Sequence, residues 1–268
     1  MYTISIISLK GGVAKTTTAI NMAYVMAKVY GKKVLLIDND KQGNASKAFG
    51  LYDPEDEDTI ARAMMERELD PREIIKNSKY ENIKVITANM SLLEANMRTI
   101  IDTGRQQQTR FKKTLAAVQD QFDICIIDNA PDINMSIVNA LTMSNDVIVP
   151  IMIDQYSFDG LKVLFEQIKD NKEDFNQSLT FRGCLVTQYQ NNDVTKQGIE
   201  ILKKKWNVPV FEQTIRRTEK KVNESTFVQM PVVEYSVRCG ASQDYKKFVD
   251  EVIQNVPNLG KNGVTKDE

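Results

Sequence analysis

The chain has 268 residues, 42% of them hydrophobic and 26% charged, a balance that excludes a mostly disordered protein, a collagen and a membrane bundle. Its 35 basic residues nearly cancel 36 acidic ones; a net charge of -1 gives no global pull toward nucleic acid, so any such surface must be local. There is no histidine, which removes every mechanism built on an imidazole, and Cys125, Cys184 and Cys239 form no CxxC pair, so neither a zinc or iron–sulfur centre nor an internal disulfide framework is expected.

The chain opens MYTISIISLKGG, without a basic start or a small-residue cleavage site, and no apolar run approaches the roughly 20 residues that span a bilayer. The expectation is a cytoplasmic protein with reduced cysteines. Ile4 to Leu9 is a β-branched, apolar run that stops at Gly11-Gly12 and predicts a first strand. Thr16 to Tyr30 carries Ile20, Ala23, Tyr24 and Ala27 at helical spacing. Val34 to Ile37 predicts a second strand, closed by Asp38. The acidic run from Asp53 to Asp58 reads as a solvated loop, with Asp58 capping the helix that follows. Ile83 to Ile86 predicts a third strand, Arg110 to Gln121 a helix, and Phe122 to Ile127 a fourth strand closed by Asp128. Met135 to Met143 predicts a helix, Val147 to Ile151 a fifth strand, Phe158 to Lys169 a helix, and Leu185-Val186 part of a sixth strand. Ala241 to Val256 reads as an amphipathic closing helix.

Strands that are apolar throughout, separated by helices, imply an α/β fold: a mostly parallel, twisted sheet with helices on both faces and right-handed crossovers. Ligands of such sheets collect at the carboxyl ends of the strands, where Gly11, Asp38 and Asp128 stand. With no repeat and no Pro/Gly/Ser linker, the expected organisation is one domain over residues 1–256 and a flexible polar tail over 257–268.

Between the first strand and the first helix lies Lys10-Gly11-Gly12-Val13-Ala14-Lys15-Thr16-Thr17. Glycines let backbone N–H groups approach phosphate oxygens, and the following helix aims its positive end at the same anion. Lys15 supplies a mobile charge for β and γ phosphates, and Thr16 a hydroxyl for Mg²⁺. The ordinary P-loop pattern GxxxxGK[ST] is not met, because Leu9 and Ala14 occupy its two glycine positions.

KGGxxK[ST] resembles the deviant Walker A motif of the ParA/MinD group of P-loop ATPases. The resemblance continues in VLLIDNDKQGNAS (34–46), similar to LLxDxDxQGNxT, and in FDICIIDNAPDINMSIVNAL (122–141), similar to YDxxxIDxPP. VFEQTIRR, QMPVVEY and GASQDYKKFVDEV follow the family's closing pattern, so the likeness spans most of the chain, nearest to small Soj-like partition ATPases. It implies an ATPase with ATP and Mg²⁺ as cofactors. Lys10 would be the signature lysine that reaches across a dimer to the other subunit's phosphates. Asp40 would orient or activate the attacking water, Asp38 would support the Mg²⁺ shell, and Asp128 would hold Mg²⁺ directly or through water. An aspartate after an apolar run is equally a common strand-end cap, and that reading stays open. Asn129-Ala130 departs from the resembled motif, of whose proline pair only Pro131 remains. Base contacts would come from Thr187-Gln188 and from the loop after Ile215, where Arg216 replaces a common proline.

From Lys196 to Lys221 eight basic residues (Lys196, Lys203, Lys204, Lys205, Arg216, Arg217, Lys220, Lys221) face three acidic ones. Such an excess suits sequence-independent phosphate contacts, and Lys246 and Lys247 could join it; a solvated helix face explains it equally well. The resemblance adds non-specific DNA binding by an ATP-bound homodimer, stimulation by a ParB-like partner, and a nucleoid-associated location. It also suggests the small type of ParA, since the chain begins at its first strand with no helix-turn-helix domain ahead of it. The alternative is a MinD-like positioning ATPase acting at the membrane; the closing residues NLGKNGVTKDE offer almost no apolar face for that, and no membrane partner is expected. Metal-cluster relatives need bridging cysteines and kinase relatives a tyrosine-rich tail, and neither is present.

Overall fold

The fold is seen in a computed structural model that describes residues 1–154, 158, 160–256 and 259. Seven strands share one sheet: β1 (Tyr2–Ile6), β2 (Val34–Asn39), β3 (Ile75–Asn77), β4 (Ile83–Ile86), β5 (Ile124–Asn129), β6 (Asp146–Ile151) and β7 (Thr180–Val186), ordered β3-β4-β2-β5-β1-β6-β7. Every neighbouring pair runs parallel except β3 with β4. β2, β5 and β6 are buried along their whole length, as strands covered on both faces must be.

Successive strand residues point to opposite layers. Ile4, Ile6, Val34, Leu36, Ile124 and Ile126 meet a core built with α1 (Lys15–Lys28), α2 (Asn44–Ala48), α10 (Val232–Tyr235) and α11 (Gly240–Asn255). Leu35, Ile37, Cys125 and Ile127 face the other layer, against α3 (Ile60–Met65), α4 (Ser91–Ile101), α5 (Arg110–Leu115) and Ala140 of α6 (Met135–Met143). That layer continues under β6 and β7, where Val147, Val149, Cys184 and Val186 pack with α6, α7 (Leu161–Asp174) and α8 (Asp193–Lys204). α9 (Glu219–Phe227) lies with the α1 layer, its Val222 packed against that core. Trp206, just past α8, stacks on Phe158 and meets Phe165 edge-on, so it anchors the lysine-rich helix.

The architecture agrees with the expected parallel α/β sheet; the differences lie at its margins. β3 is a half-exposed, three-residue edge strand with no apolar run to announce it. The predicted helix 110–121 is helical only to Leu115 and then tightens into a 3₁₀ turn over Ala116–Gln121. β1 stops at Ile6, because the chain from Ser8 onward turns into a loop. Asp58 is not the cap of α3: the Thr59 side chain accepts the Ala61 N–H, and Asp58 pairs with Arg62 instead. The tail assigned to 257–268 lies outside the described residues except for Leu259, which is buried in the first core beside Val256, so packing extends past residue 256. Among the described residues no helix is long and apolar enough to cross a membrane.

Phe248 is fully buried in the joint between α11 and the sheet and meets Phe211 edge-on, with ring centroids 5.0 Å apart. Phe248→Ala is expected to lower unfolding stability by about 3–5 kcal/mol, read from urea denaturation, and Phe248→Leu by clearly less.

Candidate active site

Three adjacent strands, β2, β5 and β1, end side by side, and each delivers one segment to a common cleft. In register, Ile6 faces Asp128 and Asp38 faces Asp128 from the other side, so the three predicted segments converge through parallel pairing alone.

After β1 the chain loops from Ser8 into α1. Gly12 has φ +75, and an added side-chain carbon at Gly11 or Gly12 would meet nothing, so both open onto the cleft. Ala14 also takes the left-handed conformation (φ 63) as it enters α1, and no side chain caps that helix. The first N–H groups of α1 are therefore free to receive an anion. Lys15 is buried, and its Nζ donates to the Lys10 carbonyl at 3.0 Å. Burial pushes its ammonium below the usual lysine range, while Asp128 and Asp40 pull the other way.

The two strand-end aspartates differ in their partners. Asp38 is fully buried, and its Oδ2 accepts from both the N–H and the hydroxyl of Ser46, each at 2.7 Å, while its Oδ1 accepts the Asp40 N–H at 3.2 Å. Burial outweighs these donors and raises its carboxyl to about 7. Asp38 thus clasps the 40–46 loop, which places Asp40 at the cleft wall with its Oδ1 taking the Gln42 N–H at 2.9 Å. Asp128 is also buried, yet neither carboxylate oxygen has a partner in hydrogen-bond geometry. Burial, then the Asp38 charge, push it well above the usual carboxylate range; the nearby Thr16 hydroxyl and Lys15 oppose the shift. An orphaned carboxylate beside a threonine hydroxyl, at the mouth of an anion-binding loop, fits a small divalent cation whose remaining ligands are phosphate oxygens and water. Among the described residues no cluster of three acidic, cysteine or histidine side chains would bind such an ion by itself.

The cleft measures ≈ 560 Å³ and is lined by Gly11, Gly12, Ala14 to Thr17, Asp40, Thr187, Gln188 and Arg216, and on its far wall by Thr218, Val222, Asn223 and Tyr245. Thr187 and Gln188 brace the loop from behind: Thr187 Oγ1 donates to the Val13 carbonyl at 3.0 Å, and Gln188 Nε2 to the Gly12 carbonyl at 2.6 Å. Of the predicted residues, Asp38 and Asp128 are buried at the strand ends and do not line the cleft, and two more lie elsewhere. Val13 and Lys10 line a separate apolar hollow of ≈ 210 Å³ with Leu9, Ile151 and Leu164, and Lys10 is ion-paired with Asp154. The far wall escaped the sequence reading because Tyr245 follows the helical apolar period and so reads as core; only the fold brings its hydroxyl 3.3 Å from Thr18.

The basic segment is spread over several elements. α8 packs on one layer, Val210 bridges Cys184 of β7 and Arg216 bridges Tyr189 just past that strand, and α9 packs on the opposite layer. Four of its cations are already paired: Lys204 with Glu200, Arg217 with Glu219, Lys221 with Glu224, and Arg216 with buried Asp244. The Arg216 guanidinium grips Asp244 through two hydrogen bonds, and a side-chain carbon at Gly240 would fall 2.4 Å from the Arg216 Cδ, so a larger residue there would displace the arginine stem. Lys196, Lys203, Lys205, Lys220, Lys246 and Lys247 make no ion pair among the described residues.

A family model described as an AAA domain matches residues 1–181. The sporulation initiation inhibitor protein Soj of Bacillus subtilis is 31% identical over 253 residues, which cover 94% of this chain and 98% of that protein. The chromosome partitioning protein ParA of Caulobacter vibrioides is 29% identical over 253 residues, 93% of each chain. Among solved structures, a cobyrinic acid a,c-diamide synthase from Mycobacterium smegmatis, with bound ATP analogue and magnesium, shares the fold at a TM-score of 0.82 and 24% identity over 95% of each chain.

A carboxyl raised by burial favours its protonated form in the fold, so its contribution to stability is complete below the unfolded-state value of about 4 and is lost as pH rises. Asp128→Asn removes that buried charge. Without ligands it is expected to raise the melting temperature at pH 8 by roughly 4–8 °C, about 2 kcal/mol, and to give progressively less as pH falls toward the ordinary carboxylate range. Calorimetric melts across pH 5–8 check this.

Proposed function

The chain belongs to the ParA/MinD-type family of P-loop ATPases, and from that premise we propose that it is a partition ATPase that dimerises with ATP, holds DNA non-specifically and releases it on slow hydrolysis stimulated by a ParB-like partner. The observation that carries the reading is the buried, unpartnered carboxylate of Asp128 beside Thr16 and Lys15 at an uncapped helix start. That arrangement costs stability in the free chain and suits a phosphate–cation ligand.

In this reading the N–H groups of Gly11 to Thr17 and the Lys15 ammonium bind the β and γ phosphates. Thr16 and Asp128, supported by Asp38, would hold Mg²⁺, which supplies charge neutralisation to the phosphoryl oxygens. Asp40, held at the cleft wall by the Asp38–Ser46 clasp, orients the attacking water. Lys10 leaves Asp154 to offset charge on the partner subunit's phosphates. Thr187, Gln188 and Arg216 also line the cleft and would contact the base. DNA phosphates meet the basic surface, to which the unpaired Lys196, Lys203, Lys220, Lys246 and Lys247 contribute more than the paired Lys204, Arg216, Arg217 and Lys221. The site of action is the cytoplasm, on the nucleoid.

Lys15→Ala is expected to abolish ATP binding, while Asp40→Ala keeps binding but loses turnover by about 10²–10⁴-fold. Fluorescent-ATP titration and phosphate release separate the two; full turnover by Asp40→Ala removes that residue from its role. DNA should bind tightly with a slowly hydrolysed ATP analogue and weakly with ADP. Lys220→Glu with Lys247→Glu should weaken binding and flatten its salt dependence without changing basal ATPase. Equal affinity in both nucleotide states would count against the switch, and ATP-dependent sedimentation with anionic vesicles in place of DNA would favour the membrane alternative.

A further inference from the structure

The two nucleotide motifs leave one position open immediately after each strand-end aspartate, and here both are asparagine: Asn39 after Asp38, and Asn129 after Asp128. The two residues face each other as the last register pair of β2 and β5. Both are buried, at 0% and 1% exposure, and their side chains point to the layer away from the phosphate loop, the side taken by Ile37 and Ile127. A pair of leucines or valines would fill such a place without leaving polar atoms to satisfy.

Their hydrogen bonds join segments rather than fill space. Asn39 Nδ2 donates to Asn129 Oδ1 at 2.8 Å and to the Ser136 carbonyl at 3.2 Å. Asn129 Nδ2 donates to the carbonyl of Ile6, the last residue of β1, at 3.2 Å. The Ala130 N–H, which a proline at that position would lack, donates to the Asn39 carbonyl at 3.2 Å. Asn39 therefore holds both ends of the loop from Ala130 to Asn134: one through Asn129 and Ala130, the other through Ser136 in the first turn of α6. The Ser136 N–H is in turn received by Asn96 of α4 at 2.8 Å. The same Asn39 stands one residue before Asp40. Its Oδ1 is fully buried and has no partner among the described residues. A purely structural amide in this place would be a poor choice, because an unsatisfied buried acceptor weakens the fold.

We propose that Asn39 and Asn129 form a positioning pair that couples the Asp40 loop to the Pro131 loop, so that the water-orienting carboxylate and the segment facing it across the bound phosphates keep a fixed separation during turnover. This rests on the ATPase reading above. Main-chain pairing ends at this point; beyond it the loops are tied by one Ala130–Asn39 backbone bond and by these amides. Loss of the pair leaves the phosphate loop, Lys15 and Asp128 in place, so nucleotide binding persists while the reactive geometry loosens. The effect belongs in kcat, not in KM.

The test is a double-mutant cycle on the full-length chain, with steady-state ATPase measured in Mg²⁺ and thermal melts run in parallel. Asn39→Ala and Asn129→Ala are each expected to lower kcat roughly tenfold, with KM for ATP within about twofold of wild type. The double variant should be no slower than the slower single one, because both remove the same link. Asn129→Ser, which retains a short polar group but cannot span to both Asn39 and Ile6, is expected to fall with Asn129→Ala and covers the case in which alanine at 39 does not fold. Wild-type kcat in the folded single variants, a rise in KM that matches the loss in kcat, or losses that multiply in the double variant would each overturn the pairing. Absence of hydrolysis by the wild-type protein above a Lys15→Ala background would overturn the ATPase reading itself, a failure distinct from normal turnover in the asparagine variants.

Discussion

The active-site cleft depends on one electrostatic conflict: two aspartates end neighbouring parallel strands, side by side and out of water. Asp38 and Asp128 face each other across the β2–β5 register, both buried, and the Asp38 charge raises the cost of ionising Asp128. The fold resolves only half of this. Asp38 is repaid by Ser46 and by the Asp40 N–H, and the loop carrying Asp40 is thereby folded back over the strand ends. Asp128 receives nothing comparable, and its oxygens remain orphaned beside Thr16 and Lys15. A buried unpaired carboxylate is tolerated where a ligand will complete it, and the free N–H groups at the start of α1 show on which side that ligand lies.

The central architecture was legible in the sequence because central parallel strands are buried on both faces and so are written as uninterrupted apolar runs. Ile83–Ile86 and Met135–Met143 appear with the boundaries their periodicity gives. β3 was not legible: three half-exposed residues at a sheet edge have no pattern of their own. The phosphate loop and the two aspartates were legible as local motifs. The far wall of the cleft was not, since Thr218, Val222, Asn223 and Tyr245 come from segments joined only by packing of α9 and α11 on the α1 layer. Nor does a motif reveal that Lys15 touches the Lys10 carbonyl while Lys10 itself turns toward Asp154.

Charge counting along the chain also has a clear limit. The excess between Lys196 and Lys221 is contiguous in sequence, but the chain crosses the β7 edge within it and distributes the cations over two layers. Arg216 is the sharpest instance: a basic residue in a basic run that spends its charge on a buried aspartate at the cleft rim. Under the DNA-binding reading proposed above, unpaired lysines on α8, α9 and α11, not the total, would set the attraction for a polyanion.

Calorimetric titration of ATP in Mg²⁺ and again in excess EDTA, with wild-type protein and with Asp128→Asn, addresses the orphaned carboxylate most directly. The expected result is much tighter binding with Mg²⁺ for the wild type and little dependence on the metal once Asp128 is neutralised. Equal metal dependence in the two proteins would contradict the account, for it would mean that the cation is held without Asp128 and that its burial serves only the fold.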